Sequence, residues 1–208
     1  MRFVPLILGT WAVLMWGCAS KPCSTISQAG SASAPEKVNA SETATPVVAT
    51  PLILEKDEGE RRVVRGWPGH PDPGETFILK VDPKNGGSQH LVFISADIRP
   101  GGGIDAHRHP HADEILYFTS GTARVHVGDL VRDVHAGATV FIPAGTWISV
   151  SNIGPDPISS VAIFSAPGFE QFMRAASARE GEKNVPMSKA ENDELISSHM
   201  GAVVYREP

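Results

Sequence analysis

From about residue 60 the chain alternates apolar and polar positions in short runs separated by turn residues, the pattern of half-buried strands in an antiparallel sandwich or barrel. The clearest predicted strands are 90–98, 114–119, 123–127, 139–142, 147–151 and 159–165. Between them stand Pro100 to Gly103, Ser120 and Gly121, Gly128 and Asp129, Gly137, Pro143 to Gly145, and Gly154 and Pro155. Each group offers the positive or fixed φ that a tight turn requires. The segment 66–74 holds too much Pro and Gly for a central strand and reads as a loop at the barrel mouth.

After Pro167 the period changes. Phe169, Phe172, Met173 and Ala176 fall at i, i+3, i+4 and i+7, so a helix should cover part of the barrel there. Ser188 followed by Glu191 reads as a capping box opening a second helix, with Leu195, Ile196 and Met200 as its narrower apolar side.

The N-terminal third follows a different pattern. Residues 3–17 are almost continuously apolar behind Arg2, too short for the ~20 residues of a comfortable bilayer span and suited to a secretory signal. The run ends at Gly17 and Cys18 and resembles the bacterial lipobox, which implies a diacylated Cys18 as mature N-terminus and membrane anchor. Cys23 is then a lone thiol; the alternative is a small Cys18–Cys23 disulfide loop. The stretch that follows is rich in Ala, Ser, Thr and Pro without apolar periodicity, and reads as a flexible, disordered linker. The expected organisation is a signal over 1–18, a linker over 19–59, a barrel over 60–168 and a helical tail over 169–208. The expected location is the periplasmic side of a bacterial membrane.

Composition narrows the function. The 208 residues carry 18 Lys plus Arg against 23 Asp plus Glu, a net charge of −5, which excludes a generic nucleic-acid binder. The 20 glycines and 17 prolines favour many short strands over a helix bundle. With only Cys18 and Cys23, both ahead of any core, neither a disulfide framework nor a cysteine-based zinc site is available to the domain.

The chemistry lies in residues 101–114. His107 and His109 are two apart in an extended context, so both imidazoles leave the same face of a strand. Pro110 interrupts the ladder, and Glu114 opens the next strand on the side shared by Leu116 and Phe118, where it can face the pair. Two neutral imidazoles and one carboxylate suit a divalent transition metal such as Mn, Fe, Zn, Ni or Cu.

These residues resemble the cupin family. Gly101, His107, His109, Glu114 and Gly121 fill every fixed place of its first motif, and Gly137, Pro143, Gly145 and Asn152 match its second. Ile148 stands where the family has a fourth ligand, a histidine. The resemblance runs over roughly residues 89–172 and implies an all-β fold, a double-stranded β-helix or jelly roll, here with one or two C-terminal helices. The wording around His109 to Glu114 and Ser120 to Val125 is most similar to the germin and oxalate decarboxylase branch, which favours Mn or Fe. It also implies a small-molecule ligand or substrate and a homodimer.

Ile148 offers no electron pair, so the metal site is expected either to persist with three protein ligands or to be retired into a drier cavity. His90, His111, His126 and His135 are the conceivable substitute ligands, and Asp105 or Asp113 the carboxylates that would orient His107 or His109. Arg108, pointing away from its neighbours, should be solvated. Two functions follow: a metal-dependent oxidoreductase or decarboxylase acting on a small oxygenated substrate, or a non-catalytic binding module for a small ligand or an envelope partner.

Overall fold

The computed structural model describes residues 48–70 and 74–206. The signal segment, Cys18, Cys23 and the linker up to residue 47 lie outside the described residues. Among the described residues no helix is long and apolar enough to cross a membrane.

Twelve strands and two short helices follow in chain order: β1 (Glu60–Val64), β2 (Thr76–Val81), β3 (Val92–Ile98), β4 (Gly103–Arg108), β5 (Glu114–Ser120), β6 (Thr122–Val127), β7 (Leu130–His135), β8 (Thr139–Ile142), β9 (Ile148–Asn152), β10 (Ile158–Phe164), α1 (Phe169–Ala175), β11 (Ser177–Arg179), α2 (Lys189–Ser198) and β12 (Val204–Tyr205). They form two antiparallel sheets, ordered β11-β1-β2-β3-β10-β5-β8 and β12-β4-β9-β6-β7. This is the expected jelly roll. Strands β4, β9 and β6 face β3, β10, β5 and β8 across a core that includes Ile98, Leu116, Phe118, Val125, Ile148 and Ile158.

Alternation explains the inner strands. Along β5 the buried residues are Glu114, Leu116 and Phe118, with Ile115 and Tyr117 outward; along β9 they are Ile148, Val150 and Asn152. The turn at Gly121 between β5 and β6 needs glycine twice over. Its φ is +80°, and an added Cβ would lie 2.8 Å from both the Ile158 Cα and the Pro157 carbonyl oxygen. Asn152, a second-motif residue, is a corner post: its side-chain amide donates to the Ile98 and Asp156 carbonyls at 3.0 and 2.9 Å and its oxygen accepts from Gly154 N–H at 3.0 Å.

Both helices form where expected. On α1, Phe172 is buried and Phe169 packs beside Phe164. α2 carries the full capping box between Ser188 and Glu191, although only Leu195 of its apolar side is buried and Met200 is 56% exposed in the following turn. β11 and β12 add strand structure to this region: β11 extends the larger sheet beyond β1, and β12 pairs with β4.

A partly buried ion network ties α1 to the larger sheet. Glu60 accepts from Arg62 at 2.6 Å and from Arg174 at 2.8 Å, and Arg174 also reaches Asp82, which is fully buried, at 2.7 Å. Arg62 further donates to the Ser177 hydroxyl and to the Arg174 and Ser177 carbonyls. Of the expected 66–74 loop, the described residues 66–70 hold no regular strand, and Trp67 and His70 form an isolated antiparallel bridge with their rings 5.0 Å apart.

Candidate metal centre

Three elements of local structure bring the ligand candidates together. In β4 the register against β9 slips between Ile104, opposite Val150, and His107, opposite Ile148. This bulge takes up one extra residue, so Ile104 and His107 share the inner face although they are three positions apart. It also brings the Asp105 carbonyl to 2.8 Å from the His107 Nδ1. The turn from β4 to β5 is pinned on both sides. Asp113 accepts from Ala144 N–H at 2.8 Å and donates its own N–H to the Ser165 hydroxyl at 2.9 Å, while Gly145 N–H donates to the His109 carbonyl at 2.8 Å. Glu114 then opens β5 facing inward.

His107, His109 and Glu114 are 5%, 3% and 6% exposed, and one ligand atom from each lies within 4.8 Å of the others. The two imidazoles meet edge to face at 5.1 Å. His109 Nε2 stands 3.7 Å from a Glu114 carboxylate oxygen, beyond hydrogen-bond reach, and both atoms are buried without a hydrogen-bond partner. Each Nδ1, by contrast, is engaged: that of His107 by the Asp105 carbonyl and that of His109 by the Ala202 carbonyl at 2.9 Å. A carbonyl only accepts, so in the neutral rings Nδ1 carries the proton and Nε2 keeps its lone pair.

Burial sets the charge state. It lowers the pKa of His107, and it lowers that of His109 to about 4 with help from neighbouring His107. It raises that of Glu114 to about 7. Orphaned donor atoms of this kind are costly in a protein interior. Two neutral nitrogens and a carboxylate oxygen within 4.8 Å of one another are the donor set of a divalent transition ion, so the residues present fit a metal.

Several expectations are corrected around this centre. His90, His111, His126 and His135 are all exposed, and none joins the cluster. Neither aspartate carboxylate orients an imidazole: Asp105 acts through its backbone carbonyl and Asp113 is a turn clamp. Arg108 is half-buried rather than solvated. Its guanidinium lies 5.0 Å over the Trp147 ring, whose centre also lies 4.6 Å from the Arg206 guanidinium. Ile148 occupies the inner face directly opposite His107 and is 2% exposed, an aliphatic side chain with no electron pair to offer. A cavity of about 470 Å³ lies elsewhere, lined by Trp67, Glu75, Asp105, Ser149 and Ser151; the serines are the outward alternates of Ile148 and Val150.

The Ala202 carbonyl and the Tyr205 ring, 5.8 Å from that of His107, had no signal in the sequence. A backbone carbonyl has no residue signature, and β12 is two residues long.

The cupin domain family matches residues 95–164. The chain is 34% identical over 68 residues to mannose-1-phosphate guanylyltransferase 2 of Escherichia coli O157:H7, covering 33% of this chain and 14% of that protein. It is 30% identical over 85 residues to the uncharacterized protein YrkC of Bacillus subtilis (strain 168), covering 38% and 46% respectively. It thus spans less than half the length of either curated relative. Among solved structures, the formate complex of Lactobacillus farciminis oxalate decarboxylase is similar at 29% identity and a TM-score of 0.41, over 45% of this chain and 29% of that one. His107, His109 and Glu114 all lie within the segment that matches the cupin domain family.

Proposed function

We propose that this protein is exported, anchored through a lipid on Cys18 at the periplasmic side of a bacterial membrane, and holds a divalent transition metal through His107, His109 and Glu114. The activity proposed is that of an oxidoreductase or decarboxylase acting on a small oxygenated substrate. The observation that carries the reading is the convergence of one Nε2 and one carboxylate oxygen, both buried and unpartnered, beside a second imidazole. Bound there, the ion supplies Lewis-acid or redox chemistry at substrate oxygens. His107 and His109 supply neutral donors whose protons are parked on Nδ1, and Glu114 supplies the one negative charge. Three protein ligands leave coordination places free. The likeness of residues 109–114 and 120–125 to the germin and oxalate decarboxylase branch supports Mn or Fe.

A second reading has its own support. The aliphatic Ile148 at the fourth corner, together with a triad at most 6% exposed, favours a non-catalytic binding module for a small ligand or envelope partner, with a weakened or absent metal site. One experiment separates the two. The purified protein is assayed for bound Mn, Fe, Zn, Ni and Cu, then for oxygen uptake and carbon dioxide release on small carboxylates, sugar acids and phenols, beside His107→Ala. Metal and turnover that both vanish in the variant support the enzyme; substoichiometric or absent metal, without turnover on any of these, supports the binding module. Metabolic labelling with a fatty acid, lost in Cys18→Ala, checks the anchor.

A further inference from the structure

We infer that the C-terminal strap, residues 199–206, is a working part of the candidate metal centre: the Ala202 carbonyl fixes the proton and the orientation of His109. The inference rests on the metal reading above and adds a positioning element beyond the cupin domain, nearly a hundred residues downstream of the ligand it holds.

Three contacts fasten the strap over the ligand strand, and a fourth seats it against the helices. β12 pairs with β4 so that Tyr205 lies opposite His107 and Val204 opposite Arg108. Arg206 N–H donates to the Ala106 carbonyl at 2.9 Å, in the bulge that presents His107. The Trp147 ring is flanked by Arg206 from the strap and Arg108 from β4. Val203 is fully buried in the cluster with Phe172 and Leu195, and its N–H and that of Ala202 donate to the His199 carbonyl at 3.0 and 2.8 Å.

The consequence falls on His109. Its ring packs edge to face against both Phe164 and Phe169, at 4.9 and 4.5 Å, apolar neighbours beside which the Ala202 carbonyl at 2.9 Å is the partner of Nδ1. With that acceptor in place the proton sits on Nδ1 and the Nε2 lone pair faces Glu114. Without it, a neutral imidazole favours the proton on Nε2, the wrong atom for a ligand. His107 takes its acceptor from its own strand, at Asp105, and does not depend on the strap in this way.

The test reads the histidine tautomers of the chelator-treated full-length protein by long-range ¹H–¹⁵N correlation, with Zn²⁺ and Mn²⁺ affinities by calorimetry. The variants are a chain ending at Gly201, Val203→Asp and the milder Val203→Ala. We expect the wild-type His109 to be protonated on Nδ1. In variants that detach the strap it should move to the Nε2–H form while His107 keeps its state, with metal affinity falling about 10- to 100-fold. An Nε2–H tautomer for His109 in the wild type overturns the inference whatever the variants do. Affinity within twofold of wild type in all folded variants overturns it as well. Failure of the metal reading itself looks different: the wild type takes up neither ion although His109 has its proton on Nδ1.

Discussion

His107 and Ile148 are direct partners across the β4–β9 ladder, with side chains on the same inner face. Ile148, at the position where the resembled family has its fourth ligand, thus sets a branched aliphatic chain across the ladder from His107. Ile148→His places a third imidazole there without changing the backbone register. It should raise affinity for Zn²⁺ or Mn²⁺ by at least about tenfold. The metal-free variant should lose about 1–3 kcal/mol of stability from the added buried polar group. Calorimetric titration and denaturant unfolding measure the two, with Ile148→Val as the volume control expected to leave affinity unchanged.

Metal uptake should depend on pH through Glu114. Its carboxyl is raised to about 7 by burial, whereas His109 is already neutral above about 4. Between those values the ion must displace the Glu114 proton, so affinity should climb as pH rises from 5.5 to 7 and level off above that, with about one proton released per ion. Stability of the metal-free protein moves the other way. A carboxyl whose folded pKa lies above its ordinary 4.5 contributes stability fully present below that value and lost as pH rises through about 7. His109 acts oppositely, its contribution being lost as pH falls from 6.5 toward 4. Glu114→Gln isolates the first effect: uptake is abolished and the alkaline loss of stability disappears. A wild-type affinity flat from pH 5.5 to 8 would contradict this assignment.

The ion network beneath α1 should matter for stability and not for metal. Removing Arg174 leaves Glu60 and the fully buried Asp82 short of a cation. Arg174→Ala should cost about 3–5 kcal/mol in urea unfolding. Burial alone would push Glu60 up, but the hydrogen bonds and charges of Arg174 and Arg62 outweigh it and hold the carboxyl below 4.5. That contribution is present above 4.5 and is lost as the solution is acidified through the lowered value. The acid sensitivity of unfolding should therefore be shallower in the variant, while the metal affinity of whatever remains folded stays near wild type.

The parts of the fold legible in the sequence are those where one face is apolar and the other polar. β3, β5, β6, β8, β9 and β10 all lie within the predicted strands or a residue or two of them, because most of their inward positions are aliphatic or aromatic. β1 escapes that signal because its central buried residue is Arg62, neutralised by Glu60. β7 escapes it as an edge strand with Leu130 and Val131 exposed. β11 and β12 exist only through pairing with distant strands. At the site, the spacing of His107, His109 and Glu114 was enough to bring them together. The bulge at Asp105 and Ala106 and the carbonyl of Ala202 were not readable, since both are properties of the backbone in its tertiary setting.

The central claim is that three side chains grip one ion. Crystals grown with Zn²⁺ or Mn²⁺, with anomalous diffraction collected at the absorption edge of that metal, test it most directly. The account predicts a single strong peak about 2.0–2.2 Å from the Nε2 atoms of His107 and His109 and from a carboxylate oxygen of Glu114. A map with no peak among the three, or with the ion held by other side chains while these remain apart, would contradict it.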